Sequence, residues 1–535
     1  MGGFTAVVKG NETYPESRVL IIITGGTICM QPSEGGLVPV DGFLESAMAP
    51  RPSFNDKSER VKLTAIKDGE KILLDSLRTP PSSYSKHIRY GALEFNPLLD
   101  SSSISSDGWT QIATAVKANY HLFDGFVVLH GTDSLSYSAS ALSFMMQDLG
   151  KPVVLTGSQA SIFALQSDAV DNLLGSLIIA GTFVIPEVCL FFHHTLFRGN
   201  RTTKASASSF DAFASPNCEP LARVTGIGID VNWSLVRRPT TIAPFDVTPY
   251  LDTAHVACVR IFPGIKPEMI DSILRVPDLR GLILETFGMG NAPAGVDGSL
   301  TRTIGSAVER GITVVNVSQC TNGFVSPLYA PGYQLGQAGV VFGHDLTTEA
   351  ALTKLSYLLA LEKGGKLSSA EISHQMSLNL RGELTEFKSS AFSHPPILDL
   401  EADNAAALLG RLSGPEAAFA LLGYAIERGD LAGVKELLEG DEIGHQLLKI
   451  ADYAGNTALH LAAVGPEVEI LKLLLLRGAG VHARNRANNT PLFLAVKMGR
   501  TEFVDLLKGA GGLLWEQEQE QEAGNEKVSK RKLEE

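Results

Sequence analysis

Apolar residues arrive in short, unbroken runs along the first 390 positions. These runs are VLIIIT (19–24), FVVLHG (126–131), KPVVLTG (151–157), EVCLFFHH (187–194), HVACVRIF (255–262), LRGLILET (279–286) and ITVVNVS (312–318). Runs of this length without polar alternation suit strands buried on both faces of a parallel sheet. Helix-like stretches such as WTQIATAVKANYHLF (109–123) lie between them. The alternation predicts an α/β architecture. RRPTTIAPFDVTPYLDT (237–253) has three prolines and little periodicity, and reads as a crossing between two lobes.

Past residue 400 the pattern changes. DYAGNTALHLAAVGPEVEILKLLLLRGAG repeats its grammar in NRANNTPLFLAVKMGRTEFVDLLKGAG, with Thr457 and Thr490 33 residues apart, as are Ala462 and Ala495. That spacing and the T-P-L-x-x-A core are those of ankyrin repeats, and YAIERGDLAGVKELLEG supplies a weaker third copy that aligns Ala425 with Ala462. Thr457 and His460 belong to this signature and are expected to stabilise the turn between repeats. Three stacked helix pairs are near the minimum that can cover one another's apolar faces. The expected limits are 17–240 and 250–390 for two α/β domains, 415–512 for the all-α repeats, and a charged, disordered tail over 513–535.

A chain of 535 residues exceeds what one core supports, in line with several domains. A net charge of −13 disfavours general nucleic-acid binding, which needs a basic face. No apolar run approaches the roughly 20 residues of a membrane span, and the first residues lack the layout of a secretory signal. Five scattered cysteines without a C-x-x-C pair predict a reduced, cytoplasmic protein.

Ligands of a doubly wound sheet bind beyond the carboxyl ends of its strands. There the sequence offers Gly25, Gly26 and Thr27, then Thr132 and Asp133, then Ser158 and Gln159, and Lys204 after the fourth run. Hydroxyls, a carboxylate and an amine that converge on one crevice would supply the parts of an amide- or ester-hydrolysing site: threonine as nucleophile, amine and second threonine as proton relay, glycine-turn N–H groups as oxyanion donors. Spacing alone does not choose the substrate.

TGGTI followed about a hundred residues later by HGTD resembles the paired signature of bacterial-type L-asparaginases. TGGTICM, DSSSISSDGW, HGTDSL, SQC and LRGELT are most similar to its cytosolic type I branch. With ankyrin repeats appended, the chain resembles the eukaryotic members, a group in which the name 60 kDa lysophospholipase is also used. The resemblance implies a two-lobed asparaginase fold with parallel-sheet lobes. It implies hydrolysis of L-asparagine to aspartate and ammonia without metal or organic cofactor. It makes Thr27 the acylated nucleophile and Thr132, Asp133 and Lys204 a second triad. Asp100, Ser101, Ser102, Thr132 and Asp133 would hold the substrate. It further implies a homodimer or homotetramer, and a protein partner for the repeats.

One position departs from the bacterial pattern: Leu37 stands where a site-covering tyrosine is expected, and Tyr329 is the candidate replacement. Cys320 and Thr203 match positions near an allosteric asparagine site in some bacterial relatives. Blander readings stand beside these. TGGT alone is a tight turn, SSDGW offers N-cap chemistry for the helix at Trp109, and His130, His193 and His194 read as hydrogen-bonded core histidines. FGMGNAPAG has Pro293 where a nucleotide loop needs its third glycine. Two rival functions remain: a lysophospholipase or other esterase, although no G-x-S-x-G elbow occurs, and an ankyrin adaptor with an inactive lobe. The chemistry is expected to survive in residues 1 to 395 alone.

Overall fold

The computed structural model describes residues 14–34, 36–239, 243–327, 330–363, 367–385, 415–439, 444, 446–452, 454–515 and 518. They form two compact units. The first comprises the chain through Arg237 and then Phe245–Phe387; the second comprises Arg238–Pro244 and the chain from Lys388 onward.

All seven apolar runs become strands. In the first unit the main sheet has the order Gly228–Val231, Ala222–Thr225, Thr195–Arg198, Val188–Phe192, Val153–Thr156, Gly125–Leu129, β1 (Glu16–Ile23), His87–Glu94 and Ser76–Arg78. The five strands from Val188–Phe192 to His87–Glu94 are parallel, and both edges are antiparallel. β1 shows why. Leu20 and Ile22 enter the core on one face of the sheet, and Val19, Ile21 and Ile23 the core on the other, all at most 1% exposed. Successive residues of a strand point to opposite faces, so an all-aliphatic run needs cover on both. At about 2 kcal/mol per buried aliphatic chain, β1 contributes on the order of 10 kcal/mol against the entropy of ordering it.

The second sheet is wholly parallel, in the order Val256–Arg260, Gly281–Thr286, Thr313–Ser318 and Val341–Phe342. Its Ile283, Val315 and Val317 share a core with Leu142 of α2 (Leu135–Met145) and Leu355 of the helix Thr348–Lys363. Ser140 and Thr353 hydroxyls meet at 2.6 Å within that contact. The two lobes therefore share apolar interior. The crossing segment contributes a short strand, Asp246–Val247, antiparallel to Met146–Gln147.

In the second unit, helices Pro415–Arg428, Leu431–Leu438, Ala458–Val464, Val468–Leu476, Pro491–Lys497 and Thr501–Gly509 form the repeats around one core. His460 has the structural role expected of it. Its Nδ1 accepts from the Thr457 N–H at 3.1 Å, and its Nε2 reaches the Asn489 carbonyl of the next repeat at 3.0 Å. Trp515 and Glu518 fall within the expected charged tail, yet both are buried. Glu518 accepts from the Thr490 and Trp515 N–H groups, so a repeat-capping contact orders these two positions. The rest of the tail lies outside the described residues.

Candidate active site

The five parallel strands lie in the spatial order second, first, third, fourth, fifth by chain position. Chain direction across the sheet reverses between β1 and Gly125–Leu129, and a crevice opens beyond the carboxyl ends at such a switch point. Thr24–Thr27 leaves β1 there and His130–Asp133 leaves its neighbour. Asp100–Ser102 follows His87–Glu94, and Gly157–Gln159 follows Val153–Thr156.

Glycines set how closely these loops meet. Gly25 and Gly26 have φ of 137° and 94°, conformations that side chains rarely adopt. A Cβ on Gly26 would lie 2.5 Å from the Gly131 nitrogen, and one on Gly25 2.6 Å from the Leu99 carbonyl oxygen. The turn is tied to the sheet by Thr24, whose N–H and Oγ1 both donate to the Leu129 carbonyl, at 3.0 and 2.8 Å. Thr27 opens a short 3-10 turn, Thr27–Cys29, half-buried beside this backbone contact. Gly26, the residue before Thr27, thus lies directly against the backbone of the HGTD loop.

On that loop, Lys204 Nζ donates to Thr132 Oγ1 at 3.0 Å and to Asp133 Oδ1 at 2.9 Å. Thr132 Oγ1 in turn donates to Gln159 Oε1 at 3.2 Å. Thr132 is buried, whereas the Asp133 side chain is 67% exposed, open to a cationic ligand. Lys204 is carried by a short strand, Thr203–Lys204, whose approach is fixed from outside the crevice. Arg201 pairs with buried Asp345 at 2.7 Å, and Thr203 Oγ1 donates to buried Glu349 at 2.8 Å. Burial, and more weakly the Glu285 charge, push the Glu349 carboxyl above the usual range.

Ser101 is buried, and its Oγ occupies the place a Cβ on Gly131 would take. Ser102 is exposed and bonds Asp100 twice, through its N–H at 3.0 Å and its Oγ at 2.6 Å. The Ser102 hydroxyl and then its N–H hold the Asp100 carboxyl below its ordinary value. The capping alternative does not apply: Ser105 precedes α1 (Ser106–Asn119) without a side-chain cap, and Ser106 bonds the Leu251 backbone instead.

His130 is a buried core histidine, held by the Gly131 carbonyl at 2.7 Å and the Ser138 hydroxyl at 2.9 Å, and burial lowers its pKa. His193 and His194 are not core residues. They are the exposed two-residue turn between antiparallel strands, with φ of 45° and 63°, as such a hairpin requires. Leu37 lies on an exposed hairpin directly after Thr27–Cys29, opposite Pro32. Tyr329 lies outside the described residues. Thr203 and Cys320 are tied separately, to Glu349 and to the Ser318 hydroxyl. Gln159 was visible only as a residue following a strand; nothing local marks it as Thr132's partner. Among the described residues no group of three His, Cys, Asp or Glu side chains could hold a metal ion.

Residues 18–237 match the family described as Asparaginase, N-terminal, and residues 255–374 the Glutaminase/Asparaginase C-terminal domain. Residues 422–512 match Ankyrin repeats in three copies. An L-asparaginase of Dirofilaria immitis is 38% identical over 93% of this chain and 82% of its own. L-asparaginase 1 of Escherichia coli (strain K12) is 42% identical over 69% of this chain and 98% of its own. A protein of Mus musculus named 60 kDa lysophospholipase is 39% identical over 87% and 79%. Among solved structures, L-asparaginase I from Vibrio cholerae superposes with a TM-score of 0.58 at 38% identity, covering 69% of this chain and all of that one.

Proposed function

The chain belongs to the asparaginase family, and from that premise we propose that it hydrolyses L-asparagine with Thr27 as the nucleophile. It is a hydrolase acting on amides. What supports the assignment of roles is the bonded set Lys204–Thr132–Asp133 beside the Gly26–Gly131 contact. Thr27 Oγ attacks the side-chain amide carbon while its proton passes toward Thr132 and Lys204. N–H groups of the glycine turn stabilise the oxyanion. The C–N bond then breaks, the relay returns a proton to the departing ammonia, and water cleaves the Thr27 ester to give aspartate. Asp133, with Asp100, Ser101 and Ser102, holds the α-amino and α-carboxylate groups.

The same reading takes 17–240 and 250–390 as the catalytic domains, 415–512 as the repeats and 513–535 as a tail. It places the enzyme in the cytoplasm as a homodimer or homotetramer, with the repeats free to take a protein partner. Five free cysteines agree with a reducing compartment. Ammonia release from L-asparagine by the purified chain, beside Thr27→Ala, tests the central claim. Turnover that vanishes in the variant supports it, and turnover that persists removes Thr27 from the nucleophile's role. The name of the mouse relative motivates an esterase reading, and lysophosphatidylcholine in the same assay tests that reading. Light scattering reads the assembly.

A further inference from the structure

The ankyrin unit contains a concentration of cationic nitrogen atoms that its own fold leaves unused. Buried Trp515 carries the Arg238 guanidinium carbon 3.4 Å from its ring centre and that of Arg484 at 3.0 Å. Two guanidinium groups cannot share one face at those distances, so they flank the indole. Each must lie flat against it, which directs the N–H bonds outward past the ring's rim. Stacking on an aromatic face stabilises a cation, but it leaves in-plane N–H groups unbonded.

Among the described residues neither guanidinium has a carboxylate within ion-pair distance, and Arg238 makes no hydrogen bond. Arg484 makes one, from Nη1 to Asn488 Oδ1 at 2.9 Å. Arg238 Nε, Arg484 Nε and Nη2, and His482 Nδ1 are all shielded from solvent and without a partner among the described residues. Glu518, the acid whose charge both arginines feel, is committed to Thr490 and Trp515. Burial, then the Arg484 charge, brings Arg238 down to about 10, so it stays charged at neutral pH. Burial, then the Arg238 charge, brings His482 down to about 4, so its imidazole is neutral. The cluster thus carries two positive charges.

Leaving a buried polar group unpaired forfeits its hydration without replacement, and native proteins hold only a few such groups per hundred residues. Four within one side-chain cluster point to a missing acceptor. We propose that Arg238, His482 and Arg484 form an anion site in the ankyrin unit, taking a tetrahedral phosphate-type dianion at the rim of Trp515. Two fixed charges match a dianion. A planar carboxylate would be used up by a single guanidinium fork, whereas donors from three side chains ask for oxygens in more than one plane. Both indole faces are covered, so the ring is not a platform for a nucleobase.

Free phosphate and a phosphoryl group on an amino-acid hydroxyl present the same chemistry. Titration calorimetry of the full chain at constant ionic strength with inorganic phosphate, O-phosphoserine and acetate separates the cases. The expected result is one phosphate per chain, with affinity lowered about ten-fold or more in Arg238→Gln and in Arg484→Gln. Arg484→Lys keeps a stacked charge but loses the fork, and is expected to weaken binding even where the glutamine variant misfolds. Lys204→Met, at the candidate active site, should leave phosphate binding unchanged. O-phosphoserine binding of equal strength assigns the esterified group, and binding of phosphate alone assigns the free ion. No phosphate binding by the folded chain would overturn the proposal, as would acetate binding as tightly as phosphate or affinity indifferent to all three arginine variants.

Discussion

Gly26→Ala tests the backbone contact on which the candidate site depends. The new Cβ would sit 2.5 Å from the Gly131 nitrogen, 2.6 Å from its Cα and 2.7 Å from the His130 carbonyl carbon. Ordinary contacts of this kind lie near 3.5 Å, so the two loops must part by about 1 Å. The atoms met are backbone at the end of a buried parallel strand, which cannot rotate aside. A displacement of about 1 Å between reacting groups costs on the order of 100-fold in rate, or about 2.7 kcal/mol of barrier. The φ of 94° adds about 1–3 kcal/mol of strain to the folded state. Ammonia release should therefore fall about 100-fold in kcat, while thermal unfolding of the full chain shifts down by a few degrees. Gly69→Ala is the control: its φ is 82°, and nothing lies within 4 Å of the added Cβ. That variant should show strain alone, with turnover preserved. A folded Gly26→Ala enzyme that matched Gly69→Ala in kcat would refute the proposal that this backbone contact positions Thr27 for catalysis.

Lys204→Met should lower kcat by about 100-fold to 10,000-fold with little change in KM, because the amine bonds Thr132 rather than only the exposed Asp133. Lys204→Arg should not restore turnover, since a guanidinium does not give up its proton; restoration would reduce Lys204 to a charge. Gln159→Leu removes the acceptor of the Thr132 hydroxyl, and about ten-fold in kcat is expected from a hydroxyl free to turn; unchanged kinetics would remove Gln159 from the relay. In the repeats, His460 needs Nδ1 unprotonated to accept from Thr457, and burial lowers its pKa. A histidine with a depressed folded pKa gives its full stability above the unfolded value of about 6.5 and loses it as pH falls toward the folded value. Amide exchange over 458–497, corrected for intrinsic rate, should show protection that declines between pH 7 and pH 5 and declines less in His460→Asn. Equal decline in both would assign the effect elsewhere.

Much of the fold was legible because burial on both faces writes itself as unbroken apolar runs. The strand His87–Glu94 was not, although it pairs with β1 along its full length. Its sequence, HIRYGALE, is interrupted by Arg89 and Gly91, and neither position makes sense without a distant partner. Arg89 is buried against Glu16, whose carboxyl Arg89 helps hold down to about 2 against the cost of burial. A Cβ on Gly91 would press on Leu74. The candidate site divides the same way. Thr27, Thr132 and Asp133 stand at strand ends within short motifs and could be picked out. Gln159 and the Arg201–Asp345 brace behind Lys204 are products of tertiary packing alone. His193 and His194 misled because a strand's last residues and a two-residue turn look alike until the next strand's direction is known.

The ankyrin unit is assembled from two separate pieces of chain, one of them Arg238–Pro244 from between the catalytic lobes. In genetic terms, the repeats are not a bead added at the end of a string. Ending the reading frame at residue 395 deletes every repeat but leaves that strip behind, with Arg238 deprived of Trp515. A proteolytic nick between 388 and 414 would likewise divide one folded body between two polypeptides. Transplanting the repeats onto another enzyme therefore calls for moving an internal heptapeptide as well as the C-terminal portion.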